Sequence, residues 1–256
     1  MTTKSRIEWT ESTWNPVVGC TKISAGCKHC YAETMARRLQ AMGVAGYELG
    51  FKEVRTLPFR LIEPLNRKQP TVYFVNSMSD LFHQDVPESF IDRVFDVMAK
   101  CPQHTFQVLT KRADRMAEYS HERLVSDNVW LGTSVEDKRH GVPRIAHLQR
   151  AKAKTRFLSV EPLLEDVGKL NLSGIEWVIV GGESGHGARP MKPSWVLNVK
   201  RQCEKQGVDF FFKQWGAFGA DGVKRDKKSN GRELLGQTWN AMPALAAIRG
   251  NAVIHQ

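Results

Sequence analysis

Long apolar runs are missing from this chain. None approaches the roughly 20 residues that a bilayer-spanning helix requires, and Met1 to Glu8 contain no apolar core of a secretory leader. The expectation is a cytosolic protein with no membrane association. Cysteine is scarce and odd in number, 5 in 256 residues, which excludes a fully paired disulfide framework and favours metal or redox chemistry in a reducing compartment. Low-complexity tracts are absent, and no repeat is stronger than a strand–helix rhythm. With 41% hydrophobic and 25% charged residues, the composition excludes bulk disorder. The length suits one large α/β domain or two small ones.

Charge is unbalanced: 37 basic residues against 27 acidic ones give a net +10. That fits a polyanionic partner such as nucleic acid, and it equally fits a generally solvated basic surface. The basic residues are spread along the chain, from Arg37-Arg38 through Lys111-Arg112 to Lys224–Lys228.

From Thr71 onward, short β-rich runs alternate with amphipathic stretches. The runs are 71–75, 105–109, 129–132, 156–160, 177–180 and 209–212, and several are continuously apolar, as in parallel strands buried on both faces. Helices are expected over 87–100, 113–125, 137–150 and 194–206, with Ser194 as an N-cap. An earlier strand over 13–18 precedes a cysteine-rich loop and a helix over 31–42, and a helical turn is expected over 59–66. About six to seven βα units fit an α/β fold, a parallel (βα) barrel or partial barrel. Residues 1–215 form this barrel by that reading. Residues 216–256 form a C-terminal appendage, with a Gly- and charge-rich loop or hairpin over 216–231 and further pieces over 236–243 and 244–249.

Polar clusters follow the runs: 76–80, Thr110-Lys-Arg112, 133–137, Glu161-Pro162, 181–185 and Lys213-Gln-Trp215. Ligands of parallel α/β folds bind at the carboxyl ends of strands. Each cluster alone reads equally as turn and cap residues; together they face the cysteine loop.

That loop runs Cys20-x6-Cys27-x2-Cys30. Three thiolates in one loop leave a fourth coordination position without a sequence-adjacent ligand. A structural zinc would need one, and His29, His83 and His104 are poorly spaced or remote. An iron–sulfur cluster with one open iron needs only the three.

A three-cysteine loop after the first strand of a βα barrel resembles the radical S-adenosylmethionine (SAM) superfamily, although the usual first gap there is three residues. Nearly the whole chain resembles the phage-associated three-cysteine-motif proteins, a radical-SAM-like family whose pattern includes the longer gap. The matching strings are Ile7-Glu-Trp-Thr10, Thr13-Trp-Asn-Pro16, Gly19-Cys20, Gly26-Cys27 through Cys30-Tyr-Ala-Glu33, Phe74-Val-Asn-Ser-Met-Ser-Asp-Leu-Phe82, Phe106-Gln-Val-Leu-Thr-Lys111, Val129-Trp-Leu-Gly132, Ser134-Val-Glu-Asp137, Glu161-Pro-Leu163, Trp177-Val-Ile-Val-Gly-Gly-Glu-Ser184, Ala188-Arg-Pro190, Phe211-Phe-Lys-Gln-Trp215 and Gly231-Arg-Glu-Leu234.

The resemblance implies that Cys20, Cys27 and Cys30 hold a [4Fe-4S] cluster whose open iron binds the amino and carboxylate groups of SAM. It implies reductive cleavage to a 5′-deoxyadenosyl radical, an electron donor, and a substrate it does not name, with a nucleic acid or nucleotide in keeping with the charge. His29 then lies near the adenine, against the alternative of a loop-stabilising histidine. Asn76, Ser77, Ser79 and Asp80 are candidates for the cofactor's methionine or ribose, Ser134, Glu136 and Asp137 for ribose or substrate, and Gly181, Gly182 and Glu183 for close approach and hydrogen bonding. Lys111, Glu161 and Lys213 are the candidate catalytic residues. Arg189 and Trp215 are candidates for substrate binding, Trp215 by stacking; the alternative for the cations is pairing with Glu136, Glu161 or Glu183 in the barrel mouth. Trp9, Trp14, Cys101 and Cys203 are expected in the core.

Two other functions remain open on the residues alone. One is a non-catalytic nucleic-acid-binding protein with a structural metal site. The other is a barrel enzyme of non-radical type using its Glu and Lys residues as acid and base.

Overall fold

The computed structural model describes Ser5 and residues 7–245. The strands are β1 Ser12–Trp14, β2 Val17–Val18, β3 Arg55–Thr56, β4 Val72–Val75, β5 Thr105–Thr110, β6 Val129–Ser134, β7 Thr155–Val160, β8 Trp177–Gly181 and β9 Asp209–Gln214. The helices are α1 Tyr31–Ala41, α2 Ile62–Leu65, α3 Glu88–Ala99, α4 Ala113–Glu122, α5 Arg144–Arg150, α6 Pro193–Gln206 and α7 Lys227–Asn230.

Seven strands form one parallel sheet in the order β1-β4-β5-β6-β7-β8-β9. The terminal strands β1 and β9 do not pair, so the sheet curls into a partial barrel, as expected. Alternation along each strand divides the core in two. In β8, Val178 and Val180 join the large cluster beneath the helices, whereas Trp177 and Ile179 join Trp9, Phe74, Trp130, Phe157 and Phe211 on the other face. The helices pack by the usual apolar stripe: α3 buries Phe90, Ile91, Val94, Phe95, Val97 and Met98. Full burial of each such side chain stabilises the fold by about 1.5–3 kcal/mol. Trp9, Trp14, Cys101 and Cys203 are all in the core.

Three expected elements differ. The strand over 13–18 is broken at Pro16, which cannot donate to a ladder. Beyond it, Val17–Val18 pair antiparallel with Arg55–Thr56. The helix over 137–150 begins only at Arg144, because the Asp137 carboxylate accepts from the amides of His140 (2.6 Å) and Gly141 (3.2 Å) and closes a turn instead. Helix α6 starts with Pro193 at its first position rather than after a Ser194 cap.

The chain beyond β9 returns to the sheet. The Phe212 amide donates to Trp239 O (2.9 Å), Phe211 bridges Asn240, and Trp177 Nε1 donates to Ala241 O (2.8 Å). An antiparallel bridge between Phe218 and Lys224 makes the expected hairpin. Most of the 244–249 segment lies outside the described residues. Among the described residues, no helix is long and apolar enough to cross a membrane.

Candidate functional site

One cavity, of about 390 Å³, opens at the carboxyl ends of the parallel strands. Its volume is that of a small-molecule site. Cys20, Cys27 and Cys30 line it together with His29, Asn76, Ser77, Ser79, Asp80, Lys111, Ser134, Glu161, Gly182, Glu183 and Lys213. Fourteen of the nineteen candidate site residues named from the sequence therefore meet at one place.

The first wall is the turn after β4. Asn76 adopts a left-handed φ of 57°, unusual outside glycine, and its amide donates to Trp14 O (2.8 Å) while its Oδ1 accepts from the Val17 amide (3.2 Å). Ser79 Oγ donates to Val17 O (2.7 Å), and Ser77 Oγ donates to Asn15 Oδ1 (3.2 Å). These residues clamp the turn to the segment that leads into the cysteine loop. Among the described residues, Asn76 Nδ2 is buried without a partner, a donor left over for a bound group.

Asp80 ties β4 to β5. Its carboxylate accepts from Thr110 Oγ1 (2.6 Å), the Phe82 amide (3.0 Å), the Lys111 amide (3.2 Å) and Arg112 Nη1 (2.9 Å). Arg112 reaches onward to Cys20 Sγ (3.9 Å) and Thr21 Oγ1 (3.0 Å).

The surroundings of two thiols differ. Burial, with the Asp80 charge adding to it, pushes the Cys20 thiol up to about 11, against the lowering effect of Arg112. Burial also acts to raise Cys27, yet the Lys111 ammonium and hydrogen bonds from the backbone of Ile23 and Ser24 outweigh it and leave this thiol below its ordinary value. Lys111 Nζ donates to Ser134 Oγ (2.9 Å).

Across the cavity, Lys213 Nζ lies 2.8 and 3.0 Å from the two carboxylate oxygens of Glu161, and Gln214 Nε2 lies 3.3 Å from one of them. Arg189 grips Glu183 through Nε (2.8 Å) and Nη2 (2.6 Å), a fork geometry. Burial opposes the charge on Glu183, but these bonds outweigh it and hold its carboxyl below the usual range. His29 Nδ1 lies 3.5 Å from Glu183 Oε2.

Five expected residues lie outside the cavity lining. Asp137 is one, its carboxylate closing the turn with His140 and Gly141. Glu136 is fully buried, and its carboxylate accepts from Ser24 Oγ and from Arg144 Nη1 (2.7 Å) instead of facing the cavity. Arg189 is spent on Glu183 and on Ala25 O (3.0 Å). Trp215 stands in the core, edge-on to Phe212 at 4.9 Å, with its indole N–H donated to Glu233 O (2.8 Å), so no face is free to stack. Gly181 backs onto Glu161, and a Cβ there would meet the carboxyl carbon at 3.0 Å. Gly182 does line the cavity, but its lack of a side chain serves β9: a Cβ would sit 1.9 Å from Trp215 O.

Sequence reasoning passed over Arg112, Ser24 and Arg144. Arg112 carried a signal, in the Thr110-Lys-Arg112 cluster at a strand end. Ser24 and Arg144 had none, since each acts through a residue distant in sequence.

Among the described residues, no three His, Cys, Asp or Glu side chains converge closely enough to ligate a single metal ion. Three cysteines on one cavity, two of them beside the cations Arg112 and Lys111, fit an anionic thiolate-ligated cluster better than a closed tetrahedral site.

A family model described as "Protein of unknown function (DUF5131)" matches residues 4–243, and the chain belongs to that family. No curated protein matches it. Among solved structures, a cysteine-to-serine variant of spore photoproduct lyase overlays with a TM-score of 0.46 at 14% identity, over 72% of this chain and 58% of that one. Spore photoproduct lyase complexed with dinucleoside spore photoproduct gives 0.41 at 13% identity, over 80% and 64%. A variant of it with bound AdoMet and the dinucleoside gives 0.39 at 13% identity, over 71% and 58%. The chain spans less than two thirds of the length of each. These overlaps are partial, and no activity carries over from them.

Proposed function

We propose that this chain is a radical S-adenosylmethionine enzyme that acts on a nucleotide or nucleic-acid substrate. The observation that carries the reading is the meeting of Cys20, Cys27 and Cys30 on one cavity at the carboxyl rim of a parallel partial barrel. Bound together, a three-cysteine [4Fe-4S] cluster and S-adenosylmethionine supply one-electron cleavage of the sulfonium to methionine and a 5′-deoxyadenosyl radical.

The protein's part is binding, orientation and exclusion of water. Cys20, Cys27 and Cys30 are the cluster ligands. Lys111 and Arg112 place positive charge beside them, which favours an anionic centre. Helix α1 starts at Tyr31, directly after Cys30, so its N-terminal amides add to the same field. His29, Asn76, Ser77 and Ser134 are the groups on the lining that would hold SAM. The Glu161–Lys213 pair is the titratable couple on the opposite wall; Lys213 can hold a phosphate or move a proton, with Glu161 fixing its ammonium. The net charge of +10 supports a polyanionic substrate. By this reading residues 1–215 carry the chemistry and 216–256 are an appendage to them, of which 216–245 pack on the barrel, and the enzyme works in a reducing, cytosolic compartment with a one-electron donor.

Anaerobic reconstitution followed by reduction in the presence of SAM is expected to release 5′-deoxyadenosine. Cluster-loaded, reduced protein that releases none rules the reading out. Salt-sensitive nucleic-acid binding that persists in such inactive protein would favour a binding protein with a structural centre.

A further inference from the structure

The six residues between Cys20 and Cys27 do more than separate two ligands. Cys20 leaves from the β1 side, where its amide donates to Phe51 O (2.8 Å) and Gly19 bridges Ser79. The loop then crosses to strands that are not neighbours of β1 in the sheet. Ser24 Oγ donates to Glu136, just beyond β6. Ala25 O accepts from Arg189 Nη2 (3.0 Å), in the loop after β8. Gly26 lies directly on Glu136, whose Cγ would stand 3.0 Å from a Cβ at that position. His29 closes the same seam, its ring packed on Gly187, where a Cβ would meet it at 3.2 Å.

Both anchors are themselves fixed. Glu136 is buried against Arg144 Nη1 (2.7 Å), which also donates to Ser134 O (2.9 Å). Glu183 holds Arg189 by the fork described above and accepts from its amide (2.9 Å). Within the loop, the amides of Cys27 and Lys28 donate to Ser24 O (3.0 Å) and Ala25 O (3.2 Å), so a turn is already formed at the second cysteine.

We propose that the long first gap is a strap across the barrel mouth, and that Glu136 and Arg189 are positioning residues that hold it, through Ser24 and Ala25, in its final shape before any metal arrives. A free loop would have to be ordered by the metal itself, and the entropy of ordering would be subtracted from the affinity of the centre. A strap docked on two anchored charges has that ordering already done. The contacts stand independently of any chemistry; that the strap serves a cluster rests on the proposed function.

The test uses metal-free, full-length protein and follows amide hydrogen exchange of residues 21–30. In the native sequence the Cys27 and Lys28 amides are expected to be protected. Ser24→Ala removes one hydrogen bond to a carboxylate, and Gly26→Ala drives a methyl against Glu136; each is expected to cut that protection about tenfold or more. Protection within α3 is expected to stay unchanged, which shows that the fold survives. Iron uptake from ferrous iron and sulfide is expected to slow in the same two variants, and Ser24→Thr, which restores the hydroxyl, to recover both readouts. Exchange of the native strap at unstructured-chain rates, or variants that exchange and load like the native chain, would overturn the strap. A protected, variant-sensitive strap on a protein that assembles no cluster would leave the strap standing and remove the proposed function alone.

Discussion

Between the helix-packed face of the sheet and its carboxyl rim, the same strands change how they hold the molecule together. The face is aliphatic and aromatic; Ile91, Val94, Met98, Val108, Leu131 and Val178 are fully buried there. Its stability is non-directional and asks only for shape and volume. The rim holds Asp80–Arg112, Glu136–Arg144, Glu161–Lys213 and Glu183–Arg189, four ion pairs in which the carboxylates of Asp80, Glu136 and Glu183 are buried and that of Glu161 is partly exposed. Buried pairs return little net stability for the desolvation they require, but they fix direction. The difference teaches that the face makes the barrel and the rim aims it: each rim pair points a side chain or a loop at the cavity.

Substitutions on the two regions should therefore fail in different ways. The largest expected loss is Arg144→Met, which strands a buried Glu136 and should lower stability by about 3–5 kcal/mol in denaturant unfolding, with the strap released as well. Ile91→Ala, on the face, should cost about 2–5 kcal/mol by the same measurement yet leave iron loading per folded molecule unchanged. Equal loss of loading in both would erase the distinction.

Lys213→Met should change stability by less than either, since both partners remain partly accessible, and should instead abolish or sharply reduce product formation in cluster-loaded protein. Normal turnover would remove Lys213 from the chemistry. Trp215→Phe should cost about 1 kcal/mol, the worth of its bond to Glu233 O, without weakening nucleotide binding. A selective loss of binding would restore a stacking role.

The smallest effect is a pH dependence. Glu183 has a folded pKa below its unfolded value of about 4.3. Its contribution to stability is thus present above that unfolded value and is lost as pH falls through the folded one. The stability difference between the native chain and Glu183→Gln should be constant near neutrality and shrink below about pH 4. A difference that grows on acidification would contradict the Arg189 fork.

Much of this was legible in the residues. The apolar runs at 105–109, 156–160 and 177–180 each became parallel strands, because a strand buried on both faces has little choice of composition. The fates of the rim carboxylates were not legible. Glu136 and Glu161 both follow strands, but one turns to the strap and the other to the cavity, and the choice is made by Arg144 and Lys213, which arrive from elsewhere in the chain. Trp215 read as a stacking surface because an indole at a strand end is chemically suited to it; a carbonyl from Glu233 in the tail took its N–H instead. Asp137 read as helix and became a turn because its carboxylate competes with the backbone for nearby amides.

The most direct measurement is iron and acid-labile sulfide content with electron paramagnetic resonance of the reduced, anaerobically reconstituted protein, recorded with and without S-adenosylmethionine. The expected result is about four iron atoms per chain and a spectrum that shifts when S-adenosylmethionine is added, as an open iron gains a ligand. Protein that binds no iron, or a cluster whose spectrum ignores S-adenosylmethionine, would contradict a three-cysteine centre with one free corner.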